Sequence, residues 1–154
     1  MASEKGLYVT EIIPYEQHTH IECQLLLQRA PAGFPSPGDD YIDKTLDLNE
    51  LVIKHPAATF FLRVQGESMK DAGIFDGDIL VVDRSLEAVS NDIVVAVLNG
   101  DLVVKKLEIT NDSRIRLVAS NQSYSPIEIT QDMKFEIWGV VTYSLHPHKF
   151  KRIP

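Results

Sequence analysis

A chain of 154 residues with 44% apolar and 24% charged content is long enough to bury one core of ordinary size without disulfides or metals, and no apolar run approaches the roughly 18 residues a membrane span needs. The formal net charge of -7, from 15 basic and 22 acidic residues, works against direct binding to a phosphate backbone, which needs clustered Lys and Arg. The single cysteine, Cys23, excludes an internal disulfide, and Glu4, Lys5, Glu11, Glu16 and Glu22 interrupt any signal-peptide core, so a cytoplasmic protein is expected.

Residues 1–29 hold two weakly alternating segments, Leu7–Ile13 and Ile21–Leu27, around the polar "YEQHTH"; this reads as an N-terminal arm. Cys23 within it reads as a small, half-buried apolar residue. The next stretch, "APAGFPSPGDD" (30–40), has three prolines and two glycines and can neither continue a helix nor sit inside a sheet, so it is an exposed linker. In "DLNELVIKH", Asp47 stands at a cap position with Glu50 three residues on, and Leu48, Leu51 and Val52 share one helical face. That pattern predicts a short helix.

From Ala58 the pattern changes to β-branched runs broken by turns: "ATFFLRV", "DILVVD", "DIVVAVL", "DLVVKKLEI", "RIRLVA" and "FEIWGVVTYS". The fold class is therefore mainly β, a mostly antiparallel sheet forming a partial barrel, with a short helix and an extended N-terminal arm. Asp76-Gly77-Asp78 reads as a tight turn into "ILVVD". Asn99-Gly100 between two runs predicts a two-residue hairpin turn, which sets Leu98 opposite Asp101, Ala96 opposite Val103 and Val94 opposite Lys105. Trp138 and Phe135 do not alternate cleanly and are assigned to sheet packing. His18/His20 and His146/His148 each put two imidazoles on one strand face, too few ligands for a metal site. "HKFKR" (148–152) reads as a solvated tail.

Ser68, in "RVQGESMKDAG" (63–73), follows directly on a predicted strand. It is either a turn residue or a nucleophile, and a nucleophilic serine needs a neighbouring base. The histidines are poorly placed for that: two lie in the arm, two flank Pro147, and His55 precedes Pro56. Lysine can serve when burial lowers its pKa. Alternation puts Lys105 on the face of Val103, Leu107 and Ile109, and Lys106 on the face of Leu102, Val104, Glu108 and Thr110, so Lys105 is the better buried base.

Four segments, "GESMKDAGIFDGDILVVD" (66–83), "NDIVVAVLNGDLVVKKL" (91–107), "NQSYSPIEI" (121–129) and "GVV" (139–141), resemble the self-cleaving Ser-Lys peptidase domain shared by LexA-type repressors and UmuD-type proteins. "GFPSPGDDYIDKTLDLNELVIKHPAATFF" (33–61) is similar to the UmuD-type branch. The resemblance implies Ser68 as nucleophile and Lys105 as general base. It places the scissile bond at Ala32-Gly33, giving an arm of residues 1–32 removed by self-cleavage and a peptidase and polymerase-accessory domain of residues 33–154. It also implies that the Asp76–Asp78 turn supports the wall of the active site. The linker chemistry agrees with that bond: in an extended segment Ala30 and Ala32 point together, Pro31 keeps the chain extended, and Gly33 lets the backbone approach closely.

The implied function is that of an SOS-response regulator. A RecA filament on single-stranded DNA activates self-cleavage, and the shortened homodimer serves a UmuC-like Y-family polymerase in translesion synthesis, with no cofactor, metal, membrane or direct DNA contact. A LexA-like repressor is not expected, because the 32 residues before the bond hold Pro14, no evident helix pair and two basic against four acidic residues. Two other readings stand beside this one: a signal-peptidase-like enzyme acting in trans, and a non-catalytic module of the same fold.

Overall fold

The computed structural model describes residues 6–16, 22–26 and 42–149, and of residues 22–26 and 42–45 the backbone alone. Its strands are β1 (Tyr8–Pro14), β2 (Glu22–Leu26), β3 (Ile42–Asp47), β4 (Thr59–Gln65), β5 (Ile79–Asp83), β6 (Ile93–Leu98), β7 (Asp101–Ile109), β8 (Ile115–Val118), β9 (Ile127–Glu128) and β10 (Phe135–Leu145), with one short helix, α1 (Leu48–Val52). The main sheet runs β1-β4-β5-β10-β6-β7-β8-β9, with β1 also pairing with β7 through Tyr8 and Val103. Six antiparallel strands thus close into a barrel, which removes the open edges a flat sheet would leave. β8 and β9 extend from β7, and β2 and β3 form a separate two-stranded sheet.

The runs of Val, Ile and Leu form central strands because both faces are covered. All five residues of β5 are buried. Inside the barrel Leu62, Val64, Leu80, Val82, Val95 and Val104 make one core; on the other face of the hairpin Val94, Ala96, Val103, Leu107 and Leu117 make a second. The Asn99-Gly100 turn has φ of 49° and 86°, the two positive values a type I′ turn needs, and the pairings Leu98↔Asp101, Ala96↔Val103 and Val94↔Lys105 follow as expected.

Trp138 breaks alternation because the register of β10 against β6 shifts between Ile137 and Gly139. The bulge turns Trp138 onto Phe60, edge to face at 5.3 Å, and under the Arg84 guanidinium, whereas Phe135 packs on the second core. α1 begins where expected, with the Asp47 carboxylate accepting from the Asn49 N–H at 2.9 Å. Leu48 and Leu51 nevertheless stay exposed, since five residues are too short to lay a full apolar stripe on the barrel. The first half of the arm differs from a free extension: β1 is a wall strand of the barrel, and Leu7 just before it is fully buried in the core. The linker, with Ala32 and Gly33, lies outside the described residues, as do His18 and His20. Among the described residues no helix is long and apolar enough to cross a membrane.

Candidate active site

β4 ends at Gln65, and the chain then turns at Gly66 with φ of 114°. A side chain is excluded here, because a Cβ on Gly66 would stand 2.2 Å from the Gly6 carbonyl oxygen. The Asp76–Asp78 turn braces this corner: Gly66 N–H donates to Asp76 Oδ1 at 2.9 Å, Gly77 N–H to the Val64 carbonyl at 2.9 Å, and Val64 N–H to the Asp78 carbonyl at 3.1 Å. Ser68 follows, fully buried, ahead of a 3-10 turn over Lys70–Ala72.

A second segment holds the same loop from the opposite side. Asn121, itself nearly buried, donates from Nδ2 to the Glu67 carbonyl at 2.8 Å and accepts the Ser123 N–H at 3.0 Å, while the Ser120 carbonyl takes the Asp71 N–H at 2.8 Å. In a trans peptide the carbonyl and the following N–H point opposite ways. Fixing the Glu67 oxygen therefore fixes the direction of the Ser68 N–H.

Lys105 stands on β7 with its side chain 2% exposed, and among the described residues no carboxylate forms an ion pair with it. Desolvation disfavours the ammonium and pushes the lysine below its ordinary 10.5. The Tyr124 ring, centred 5.2 Å from Nζ, gives the cation partial relief, but burial sets the direction. The lysine and the serine share one pocket: a methyl group on Gly6 would lie 2.6 Å from both Lys105 Nζ and Ser68 Oγ. Beside them opens a cleft of about 670 Å³, lined by Glu67, Lys70, Asn121, Tyr124 and Ile127 among others.

The structure thus brings Ser68 and Lys105 together and points Lys106, half-buried, away from them. Among the described residues no histidine lines the cleft. His146 is hydrogen-bonded to Asp78 and stacks edge-on with His148. His55 binds Asp83 at 2.6 Å, and the same carboxylate accepts from Ser85 Oγ at 2.6 Å; with the carboxylate between serine and imidazole, that trio cannot relay a serine proton to histidine.

A model of the peptidase S24-like family matches residues 24–142, a span that contains Ser68, Asn121 and Lys105. The chain belongs to the S24 peptidase family. It is 48% identical to protein MucA of Salmonella typhimurium over 123 residues, covering 79% of this chain and 83% of that protein. It is 39% identical to protein SamA of the same species over 135 residues, 88% and 93% of the two chains. With the LexA repressor of Xylella fastidiosa it shares 41% identity over 124 residues, 80% of this chain and 58% of the repressor.

Two features of this S24 site escape a reading by residue type. Asn121 and Tyr124 lie in a turn-rich segment with no periodicity, so only their place in a family motif marks them. Gly6-Leu7 reads as the start of an alternating arm, yet Leu7 N–H donates to Ser68 Oγ at 2.6 Å. The Asn121 geometry yields a test. Asn121→Asp keeps an acceptor for the Ser123 N–H but loses the donor to Glu67. With the Ser68 N–H no longer aimed, labelling of Ser68 by a fluorophosphonate is expected to slow by about 10-fold to 100-fold, with a modest fall in thermal midpoint because the Glu67 carbonyl loses its donor.

Proposed function

We propose that this S24 peptidase cuts its own Ala32-Gly33 bond with a Ser68-Lys105 dyad, and that residues 33–154 are the product that acts in the SOS response. The observation that carries the reading is the pairing of a buried serine hydroxyl with a buried lysine whose ammonium is disfavoured by desolvation. Neutral Lys105 takes the Ser68 proton as Oγ attacks the Ala32 carbonyl carbon, and backbone N–H groups around Ser68 receive the oxyanion. Collapse of the tetrahedral intermediate breaks the Ala32-Gly33 bond, and the Lys105 ammonium returns its proton to the Gly33 amine. Neutral Lys105 then takes a proton from water, whose oxygen attacks the acyl ester, and Ser68 leaves reprotonated with residues 1–32 free.

The family membership supports a LexA- and UmuD-type serine peptidase. By the same likeness the activator is a RecA filament on single-stranded DNA, and the shortened homodimer serves a UmuC-like Y-family polymerase in translesion synthesis. The net charge of -7 fits a chain whose access to DNA runs through such partners. Mass spectrometry of the protein incubated with an activated recombinase filament tests the reading: the expected products are residues 1–32 and 33–154. Any other bond, or no fragment, refutes it.

Side-chain size at the bond provides a second check. Ala32→Trp is expected to stop cleavage with Ser68 and Lys105 intact, because a shallow pocket built for a methyl group cannot take an indole. Gels showing cutting of this variant at the same bond at the wild-type rate would mean the site does not read that side chain.

A further inference from the structure

We propose that the groove beside Ser68 is a binding site for an extended peptide strand, seated by residues 6–14 in a geometry that cannot be cut, and that residues 30–33 must displace Gly6 and Leu7 to reach the serine. The competition rests on the reading of Ala32-Gly33 as the scissile bond; the occupancy by residues 6–14 does not.

The seat is built from both walls of the groove. β1 pairs with β4 from Tyr8↔Gln65 to Pro14↔Phe60, and on the other side the Leu7 carbonyl accepts the Val104 N–H at 3.0 Å. Main-chain pairing of this kind supplies affinity, and the pockets for alternate side chains supply selectivity. Leu7 is fully buried, in one core cluster with Leu62, Val64 and Met69. Gly6, at φ of 68°, passes directly over the serine and lysine, where any side chain would collide with Ser68 Cβ at 2.7 Å.

Why the seated strand survives follows from the hydrogen bond that holds it. Leu7 N–H donates to Ser68 Oγ, so the oxygen lies along the N–H direction, near the plane of the Gly6-Leu7 peptide. Attack on a carbonyl requires approach from above that plane. The Gly6 oxygen is turned toward Gly66, whose missing side chain makes room for it. Segment 6–14 therefore occupies the nucleophile without presenting it a reactive carbonyl. Its hold is also limited: Tyr8, Thr10, Glu11, Ile12 and Pro14 are exposed, and the ladder to β4 slips between Val9 and Glu11. Another extended segment that reaches the freed main-chain edges beside Ser68 can take the place of Gly6 and Leu7.

Gly6→Ala in the full-length chain adds one methyl group at the contact point and leaves the folded domain otherwise intact. If the rate follows the fraction of molecules with an empty groove, both fluorophosphonate labelling of Ser68 and release of residues 33–154 should speed up by about tenfold. The opposite manipulation pairs Glu11→Cys with Arg63→Cys, residues opposite each other in the β1–β4 ladder, in a Cys23→Ser background. Oxidation should lock β1 down and stop labelling and cleavage, and a reductant should restore both. Equal rates in oxidised and reduced protein, with no effect of Gly6→Ala, would overturn the proposal, as would a fragment beginning at Leu7. If labelling responds to both manipulations while wild-type protein never yields a fragment beginning at Gly33, the strand site stands and the scissile bond is elsewhere.

Discussion

Ser68→Ala is expected to leave a folded, full-length chain that releases no fragment beginning at Gly33, and Lys105→Ala to do the same, with rates lower by about 10⁴-fold or more, the usual scale for deleting a nucleophile or its base. Lys106→Ala should retain most activity, since Lys106 lies opposite Ile93 on the other face of β7. Timed gels with mass spectrometry of the products check all three. Loss of activity in Lys106→Ala alone would place the base on the wrong face. Ser68→Ala also leaves the Leu7 N–H without its acceptor, which costs about 1–3 kcal/mol, so a modest fall in thermal midpoint should accompany the loss of cleavage.

The lysine has the opposite effect on stability. Burial lowers its pKa in the folded state from 10.5, so between the folded and unfolded values the unfolded chain binds the extra proton, and stability rises with pH across that window. Below the folded value the whole penalty remains. Lys105→Met, which fills the same space without a charge, should therefore be inactive and more stable than wild type at neutral pH. The excess should shrink as the solution approaches 10.5. Such a gain from removing a functional group marks a site kept at the expense of the fold.

The strands and the hairpin register were legible because β-branched runs and Asn99-Gly100 act locally: alternation and two positive φ values decide them with little help from tertiary structure. The choice of Lys105 over Lys106 followed from that register. The two-residue β9 was not legible, since "SPIEI" lacks the length to show a period. Nor was β3, where "IDKTLD" is too polar to read as a strand. The least legible feature was the role of the arm. Leu7–Ile13 has the alternation of a strand, but nothing local states that its partners are β4 and β7, between 46 and 95 residues away, or that Gly6 would come to rest on the serine. Ser68 itself looks like any serine in a turn; burial, the Gly66 corner and the Asn121 clamp distinguish it, and all three are tertiary.

The pH profile of self-cleavage should carry the signature of a lysine. If Lys105 must be neutral to take the Ser68 proton, the unassisted rate should rise about tenfold per pH unit well below its lowered pKa and level off above it. A histidine base would reach its plateau just above about 6.5, and among the described residues none lines the cleft. A recombinase filament that presses residues 30–33 into the groove adds two effects. The docked segment further excludes water from Lys105, which lowers its pKa again, and the scissile bond spends more time beside Ser68. The first effect matters only where the lysine is still protonated, so filament stimulation should be largest near pH 7 and should shrink toward the residual docking effect in alkaline solution. Disappearance of full-length protein measured from pH 6 to 10, with and without filament, tests this directly. A flat profile in which Ser68 is still required would mean that no titrating lysine controls the rate, and that the burial of Lys105 serves some other purpose than supplying a base.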